Sequence, residues 1–86
     1  MGRLSYNEIA HSRFKPTRDV VVSEAFLENG KKIGYSIAER LTVTEEQGET
    51  KVFLRGGLGI VDKEGLFELK KTIDEACERV KKEEQN

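Results

Sequence analysis

The chain has 86 residues, enough for one domain with a single small core. Hydrophobic and charged residues each make up 36% of the sequence and the formal net charge is −1, so the total charge gives no reason to expect nucleic-acid binding. One cysteine, one histidine and no run of about 20 apolar residues argue against an internal disulfide, a zinc site or a membrane span, and we expect a cytoplasmic, intracellular protein without metal or cofactor.

The first 18 residues are locally ambiguous. Ser5 and Glu8 have the spacing of a capping box, which favours a short helix over residues 6–13, and Pro16 would end that helix. A mobile N-terminal arm or an edge strand fits the same residues. This segment carries a surplus of basic side chains: Arg3, Arg13, Lys15 and Arg18 against Glu8 alone.

Residues 19–44 predict two antiparallel strands joined by a tight turn. Three consecutive valines at 20–22 favour a strand, and Asn29-Gly30 predicts a hairpin with a type I′ turn. The next run, from residue 33 to 44, alternates between apolar and small or polar side chains, as a strand with two different faces does. Glu39 interrupts its apolar face and predicts a bulge near residues 38–40.

A second turn at Gln47-Gly48 leads to a third strand. In this strand, Phe53 and Arg55 share one face, and Val52 and Leu54 share the other. The glycine-rich stretch "GGLGIVDKEG" follows. It lacks the Gly-Lys-Ser/Thr ending of a Walker loop, and Asp62 occupies the place of the third glycine of a dinucleotide fingerprint. We therefore expect a bend or a glycine-weakened edge strand that delivers the chain to a helix.

From residue 62 the hydrophobic period changes to 3.6. Asp62 is the predicted N-cap, and one stripe of the helix is apolar: Leu66, Leu69, Ile73, Ala76, Cys77 and Val80. The sequence thus predicts one α+β domain over residues 1–86: an arm (1–18), a bent antiparallel β-meander of three or four strands (19–61) and an amphipathic C-terminal helix (62–82). One helix covers one face of such a sheet, so we expect a homodimer through the C-terminal helix.

No catalytic constellation emerges from the sequence. Cys77 lies on the apolar stripe, where we expect a buried thiol, and His11 has no orienting third group. The paired carboxylates fall in a turn and in the C-terminal tail. We therefore expect a protein that is not an enzyme.

Basic and aromatic residues collect on the predicted sheet instead. Single-stranded nucleic acid is held by aromatic side chains on which bases stack and by a cationic groove. The candidate nucleic-acid-binding residues are Lys31, Lys32, Tyr35, Arg40, Lys51, Phe53 and Arg55. Two alternatives stay open: Tyr35 and Phe53 as core or dimer-interface residues, and a protein-interaction or assembly module that uses the open sheet face.

The order of these parts resembles the positive-cofactor-four-like transcriptional coactivators over roughly residues 19–80. The resemblance rests on Tyr35-Ser36-Ile37 and on Gly59-Ile60-Val61 followed by Asp62-Lys63-Glu64. It implies a homodimer whose helices pack together and whose curved sheets bind single-stranded DNA. We accordingly expect a protein that binds single-stranded DNA (or RNA) in transcription or replication and that is nucleoid-associated if it binds DNA. The seven candidate residues would then be the contacts. The purine-rich-element-binding fold has a similar strand–strand–strand–helix repeat and is an alternative.

Overall fold

The structure is a computed structural model that describes residues 3–85, so residues 1–2 of the predicted arm and Asn86 lie outside the described residues. Four strands are followed by one helix: β1 (Ser5–Lys15), β2 (Arg18–Phe26), β3 (Lys32–Thr44), β4 (Thr50–Val61) and α1 (Lys63–Glu84). The strands form one antiparallel sheet in the order β1-β2-β3-β4. The predicted α+β class, an antiparallel meander followed by a C-terminal helix, is confirmed.

The N-terminal arm is a strand. β1 pairs with β2 from Ser5 opposite Phe26 to Lys15 opposite Arg18, so both the mobile arm and the short helix are wrong for residues 5–15, and the edge-strand alternative is what forms. The capping-box spacing is overridden because β2 offers a long row of free backbone groups to pair with. Pro16 and Thr17 make the connecting turn, with Thr17 at φ 69.

The two later hairpins use three-residue loops. Gly30 N donates to Leu27 O at 2.9 Å, and Leu27 N donates to Lys31 O at 2.8 Å. Gly30 has φ 87, whereas Asn29 is not among the residues with positive φ. The predicted type I′ turn is therefore wrong, because only one of its two central residues takes the left-handed conformation; Asn29 instead accepts a hydrogen bond from Lys31 N through its side chain.

The glycine-rich stretch continues β4 as a bulged edge strand. Ile37 of β3 pairs with Gly59 and Ala38 pairs with Gly56, which leaves Gly57 and Leu58 as extra residues on β4. A Cβ on Gly57 would collide with the carbonyl oxygen of Ile37. A bulge was predicted at residues 38–40 of β3. The structure has it next to that position, but the extra residues belong to β4 and not to β3.

Helix α1 begins as predicted and then leaves the sheet. Asp62 caps it, accepting a hydrogen bond from Gly65 N at 2.7 Å. Leu66 and Leu69 are half-buried, but every described residue from position 70 onward is exposed, including Cys77. The prediction of a buried thiol is therefore wrong for the single chain.

The register assigns the strand residues to two faces. We call the face that carries Val21 and Ala25 the inner face and the face that carries Val20 and Val22 the outer face. The inner-face residues of β2 are buried, at 6% exposure for Val21 and 0% for Ala25, although the outer-face residues beside them are only half-buried. The outer face is the more apolar of the two: Val20, Val22, Phe26, Tyr35, Ile37, Leu41, Val43 and Phe53.

The single chain is extended for its length. Its radius of gyration is 16.2 Å, against about 12 Å for a compact domain of this length. Its accessible surface is 7113 Å², against about 5,200 Å² for a compact monomer of 9.8 kDa. The excess of about 1,900 Å² reflects uncovered strand residues, such as Leu54 at 71% exposure, and a helix whose described residues from position 70 onward are all exposed.

Candidate nucleic-acid interface

A groove of about 510 Å³ crosses the inner face of the sheet. Residues of all four strands line it. Its floor consists of small side chains, since Ser23 lies directly opposite Ser36 and Ala38 lies opposite Gly56. The rest of the lining is Tyr6, Glu8, Val21, Arg40, Val52, Leu54 and Arg55.

The groove combines the features of a site for a flat, partly polar ligand. Tyr6 stands on the edge strand β1 with 55% of its surface exposed, and Leu54 on β4 is 71% exposed on the opposite rim. The hydroxyls of Ser23 and Ser36 make no hydrogen bond to any described residue, so they can donate to and accept from a ligand. The small floor residues leave depth for a planar group between the rims.

An ion-pair network joins β1, β2 and β3 at one side of the groove. Arg40 Nη1 donates to Glu8 Oε1 at 2.7 Å, and Arg40 Nη2 donates to Asp19 Oδ2 at 3.3 Å. Arg13 Nε donates to Asp19 Oδ1 at 3.0 Å. His11 Nδ1 lies 2.9 Å from the second oxygen of Glu8.

The network favours the charged forms of Glu8, Asp19 and Arg40, as the directions of their pKa shifts show. The hydrogen bond from Arg40 lowers the pKa of Glu8, against a smaller opposing effect of desolvation, and His11 lowers it further. The hydrogen bond from Arg13 lowers the pKa of Asp19, and Arg40 adds to it. The pKa of Arg40 is raised by Glu8 first and by Asp19 second.

The seven sequence-predicted residues do not form one site. Arg40 is on the inner face and lines the groove. Arg55 is an outer-face residue by register, opposite Glu39, yet it also borders the groove from the edge strand β4. The others lie on the outer face or in a turn: Lys31, Lys32, Tyr35, Lys51 and Phe53.

Two of these outer-face residues, Lys32 and Tyr35, form a cluster with Glu24. Lys32 Nζ donates to Glu24 Oε2 at 2.6 Å and to the Tyr35 hydroxyl at 3.0 Å, and it lies 4.5 Å from the centroid of the Tyr35 ring. Glu24 first and Tyr35 second raise the pKa of Lys32, and Lys32 lowers that of Glu24. This cluster stabilises the β2–β3 pairing and leaves Tyr35 and Lys32 little freedom to hold a ligand.

The remaining outer-face candidates, Phe53 and Lys51, differ in their surroundings. Phe53 is 48% exposed beside Leu41, and its separation from Val52 and Leu54 onto the other face is as predicted. Those two aliphatic residues are 58% and 71% exposed, so neither face of β4 is covered within the chain. Lys51 pairs with Glu45 at 2.7 Å.

Sequence reasoning missed Tyr6 and the serine pair. Tyr6 lay in the segment with ambiguous local pattern, where the register shift of β1 between Glu8 and Ala10 interrupts the two-residue alternation. The one signal available in the sequence was the two-residue alternation from Ser5 to Glu8, which would place Tyr6 and Glu8 on the same face of a strand. The facing of Ser23 and Ser36 depends on strand register, which composition does not reveal.

Comparison with protein-family models, with curated proteins and with solved structures finds no match to this chain. Within residues 3–85, no three or more His, Cys, Asp or Glu side chains cluster in a way that could hold a metal ion. The helix in the described part of the chain is not apolar enough to cross a membrane.

Proposed function

We propose that this protein binds single-stranded nucleic acid, DNA or RNA, in the inner-face groove without catalysing a reaction. One observation carries the proposal: an uncovered groove crosses all four strands between an exposed tyrosine on β1 and exposed aliphatic and arginine side chains on β4. Unpaired bases stack on such exposed rings, whereas the bases of a duplex are already stacked on one another.

The polar groups of the groove suit a nucleotide ligand. The Ser23 and Ser36 hydroxyls on the floor match the hydrogen-bonding edge of a base, and Arg55 on the rim has no Asp or Glu carboxylate within 4.0 Å among the described residues. An arginine without an internal partner can pair with a phosphate. Binding then depends on stacking and hydrogen bonding more than on charge, in agreement with the net charge of −1.

The active form in this proposal is a homodimer. The chain exposes about 1,900 Å² more than a compact monomer would, and each partner in an obligate dimer buries about 1,000–2,500 Å². We assign the outer face and the apolar stripe of α1, with Ile73 at 62% and Val80 at 51% exposure, to the contact with the second copy. The inner-face groove remains open for the ligand.

In this proposal the exposed outer-face aromatic ring of Phe53 belongs to the dimer interface. Phe53 lies beside Leu41 on the face that we give to the second copy, so we place it in the interface rather than in the ligand site. The proposed role in transcription or replication follows from the resemblance to the positive-cofactor-four-like coactivators. The rival function, a protein-interaction module, would use the same uncovered outer face for a different protein.

The test is a fluorescence-anisotropy titration of a labelled single-stranded oligonucleotide at about 50 mM salt. We expect micromolar binding by the native protein. Tyr6→Ala removes the stacking ring and should weaken binding about 5- to 150-fold, the range for loss of one base–aromatic stack of about 1–3 kcal/mol.

Phe67→Ala is the matched control, because it removes a similarly exposed aromatic ring, at 57% exposure, from helix α1 at a position off the apolar stripe. We expect it to leave the affinity of the dimer within about twofold when the protein is assayed well above its dimer dissociation constant. Absence of binding at low salt would reject the proposal. A loss with Phe67→Ala as large as that with Tyr6→Ala would contradict a stacking role for Tyr6 in the groove.

A further inference from the structure

Arg40 lines the groove and Arg13 lies on the same face opposite Asp19, and internal carboxylates occupy both. Glu8 and Asp19 together contact both terminal nitrogens of Arg40, at 2.7 and 3.3 Å, and Asp19 also accepts from Arg13 at 3.0 Å. These oxygens take the positions that phosphate oxygens take when an arginine binds them through two nitrogens. In contrast, Arg55 faces no carboxylate of a described Asp or Glu within 4.0 Å.

The network lies within reach of a bound ligand. The side chain of Glu8 is 37% exposed and that of Arg40 is 26% exposed, and both line the groove. Asp19 is more enclosed, with 13% of its side chain exposed. A phosphate that approaches Arg40 therefore meets the negative charge of Glu8 at close range.

We propose that Glu8 and Asp19 are intramolecular competitors of the nucleic-acid phosphates and so limit the affinity of the groove. This inference rests on the proposed function, and it goes beyond it by naming the residues that regulate the site. The carboxylates occupy Arg40 and Arg13 when the groove is empty. A phosphate gains these arginines only by displacing the carboxylates, so the native protein uses Arg55 as its principal phosphate contact.

A consequence is a shallow dependence of affinity on salt. For single strands the slope of log K against log salt concentration is about −0.7 for each phosphate neutralised. One available arginine predicts a slope of about −0.7 for the native protein, and three available arginines predict about −2.

The test compares Glu8→Gln, Asp19→Asn and the double variant with Glu24→Gln in the same anisotropy titration at several salt concentrations. Glu24 is the matched control, because it also lies on the sheet and pairs with a cation at 2.6 Å, but on the outer face. Each single variant removes one negative charge, so a purely global charge effect is equal in all three. Circular dichroism and thermal melting check that each variant is folded.

We expect Glu8→Gln to bind about fivefold more tightly than the native protein, the effect of removing one unit charge about 4 Å from a phosphate in water. The double variant should reach a salt slope near −2, while Glu24→Gln stays near the native values. If Asp19→Asn fails to fold, Glu8→Gln alone decides, because Glu8 is the more exposed of the two.

The outcomes separate the two claims. Native binding with no tighter binding of Glu8→Gln than of Glu24→Gln overturns the competitor role and leaves the proposed function standing. Weaker binding of Glu8→Gln also overturns it, since the carboxylates would then only hold the strands in place. Absence of binding by every protein, the double variant included, overturns both.

Discussion

Ile73 provides the sharpest test of self-association. It lies on the apolar stripe of α1, beyond the part of the helix that touches the sheet, and 62% of it is exposed in the single chain. Replacing it with glutamate puts a charge in the middle of the surface that we assign to the second copy. The fold of the single chain should not change, because no described residue of α1 beyond Leu69 is even half-buried.

The expected size of the effect follows from burial. Covering an isoleucine side chain stabilises by about 1.5–3 kcal/mol, and a two-fold dimer contains the residue twice, so loss of both costs about 3–6 kcal/mol. At 1.4 kcal/mol per factor of ten, the dimer dissociation constant should rise about 10² to 10⁴-fold. Burial of the new carboxylate adds to this cost.

Sedimentation velocity over a range of concentrations measures the change. We expect the native protein to sediment at twice the chain mass of 9.8 kDa and Ile73→Glu to sediment as a single chain at micromolar concentration. Thr72→Glu is the control: it introduces the same charge one residue away, about 100° around the helix from Ile73, where the Thr72 hydroxyl donates to the backbone oxygen of Glu68. A native monomer at 100 μM or higher (roughly the weakest end of specific dimers) would refute the reasoning, as would equal dissociation of the two variants.

Three further predictions concern the sheet. Gly57→Ala should lower the free energy of unfolding by at least about 2 kcal/mol in urea denaturation, because the new Cβ meets the Ile37 carbonyl oxygen. Thr17→Gly should raise the free energy of unfolding by about 0.5–1 kcal/mol. Glycine relieves the strain of a threonine at φ 69°, and the greater entropy that glycine loses on folding offsets part of this gain. The melting temperature should stay level from pH 7 to pH 5 and fall as the pH drops below about 4, because Glu8 and Asp19 have lowered pKa values and their contribution is lost on protonation.

Each of these has a contrary outcome. A Gly57→Ala protein as stable as the native one would mean that the β4 bulge does not approach β3 closely. A less stable Thr17→Gly protein would place the strain elsewhere in the turn. An acid transition unchanged in the Glu8→Gln, Asp19→Asn double variant would show that these two carboxylates do not contribute to the pH dependence.

Local patterns predicted the elements that depend on local chemistry. The valine run of β2, the alternation of β3 and the capped, 3.6-period helix after Asp62 all appear where the sequence placed them. Asn29-Gly30 also correctly predicted the position of a hairpin turn, although the loop has three residues instead of two. In each case neighbouring residues in the chain determine the result.

Features that depend on pairing between distant residues could not be predicted from the sequence. Whether residues 5–15 form an arm, a helix or a strand depends on β2 offering a free edge, and no local signal encodes that. The seven candidate residues were chosen by type, but strand register puts Arg40 on one face and Tyr35 on the other. The small groove floor also depends on register, which sets Ser23 opposite Ser36 and Ala38 opposite Gly56.

The most direct test of the proposed function is a nitrogen-15 NMR titration of the protein with a short single-stranded oligonucleotide. We predict backbone shift changes concentrated at the groove floor and rims, at Tyr6, Ser23, Ser36, Ala38 and Arg55, with outer-face residues such as Val22 and Phe26 unchanged. Changes confined to the outer face or to α1 would contradict the proposal that the inner-face groove holds the ligand.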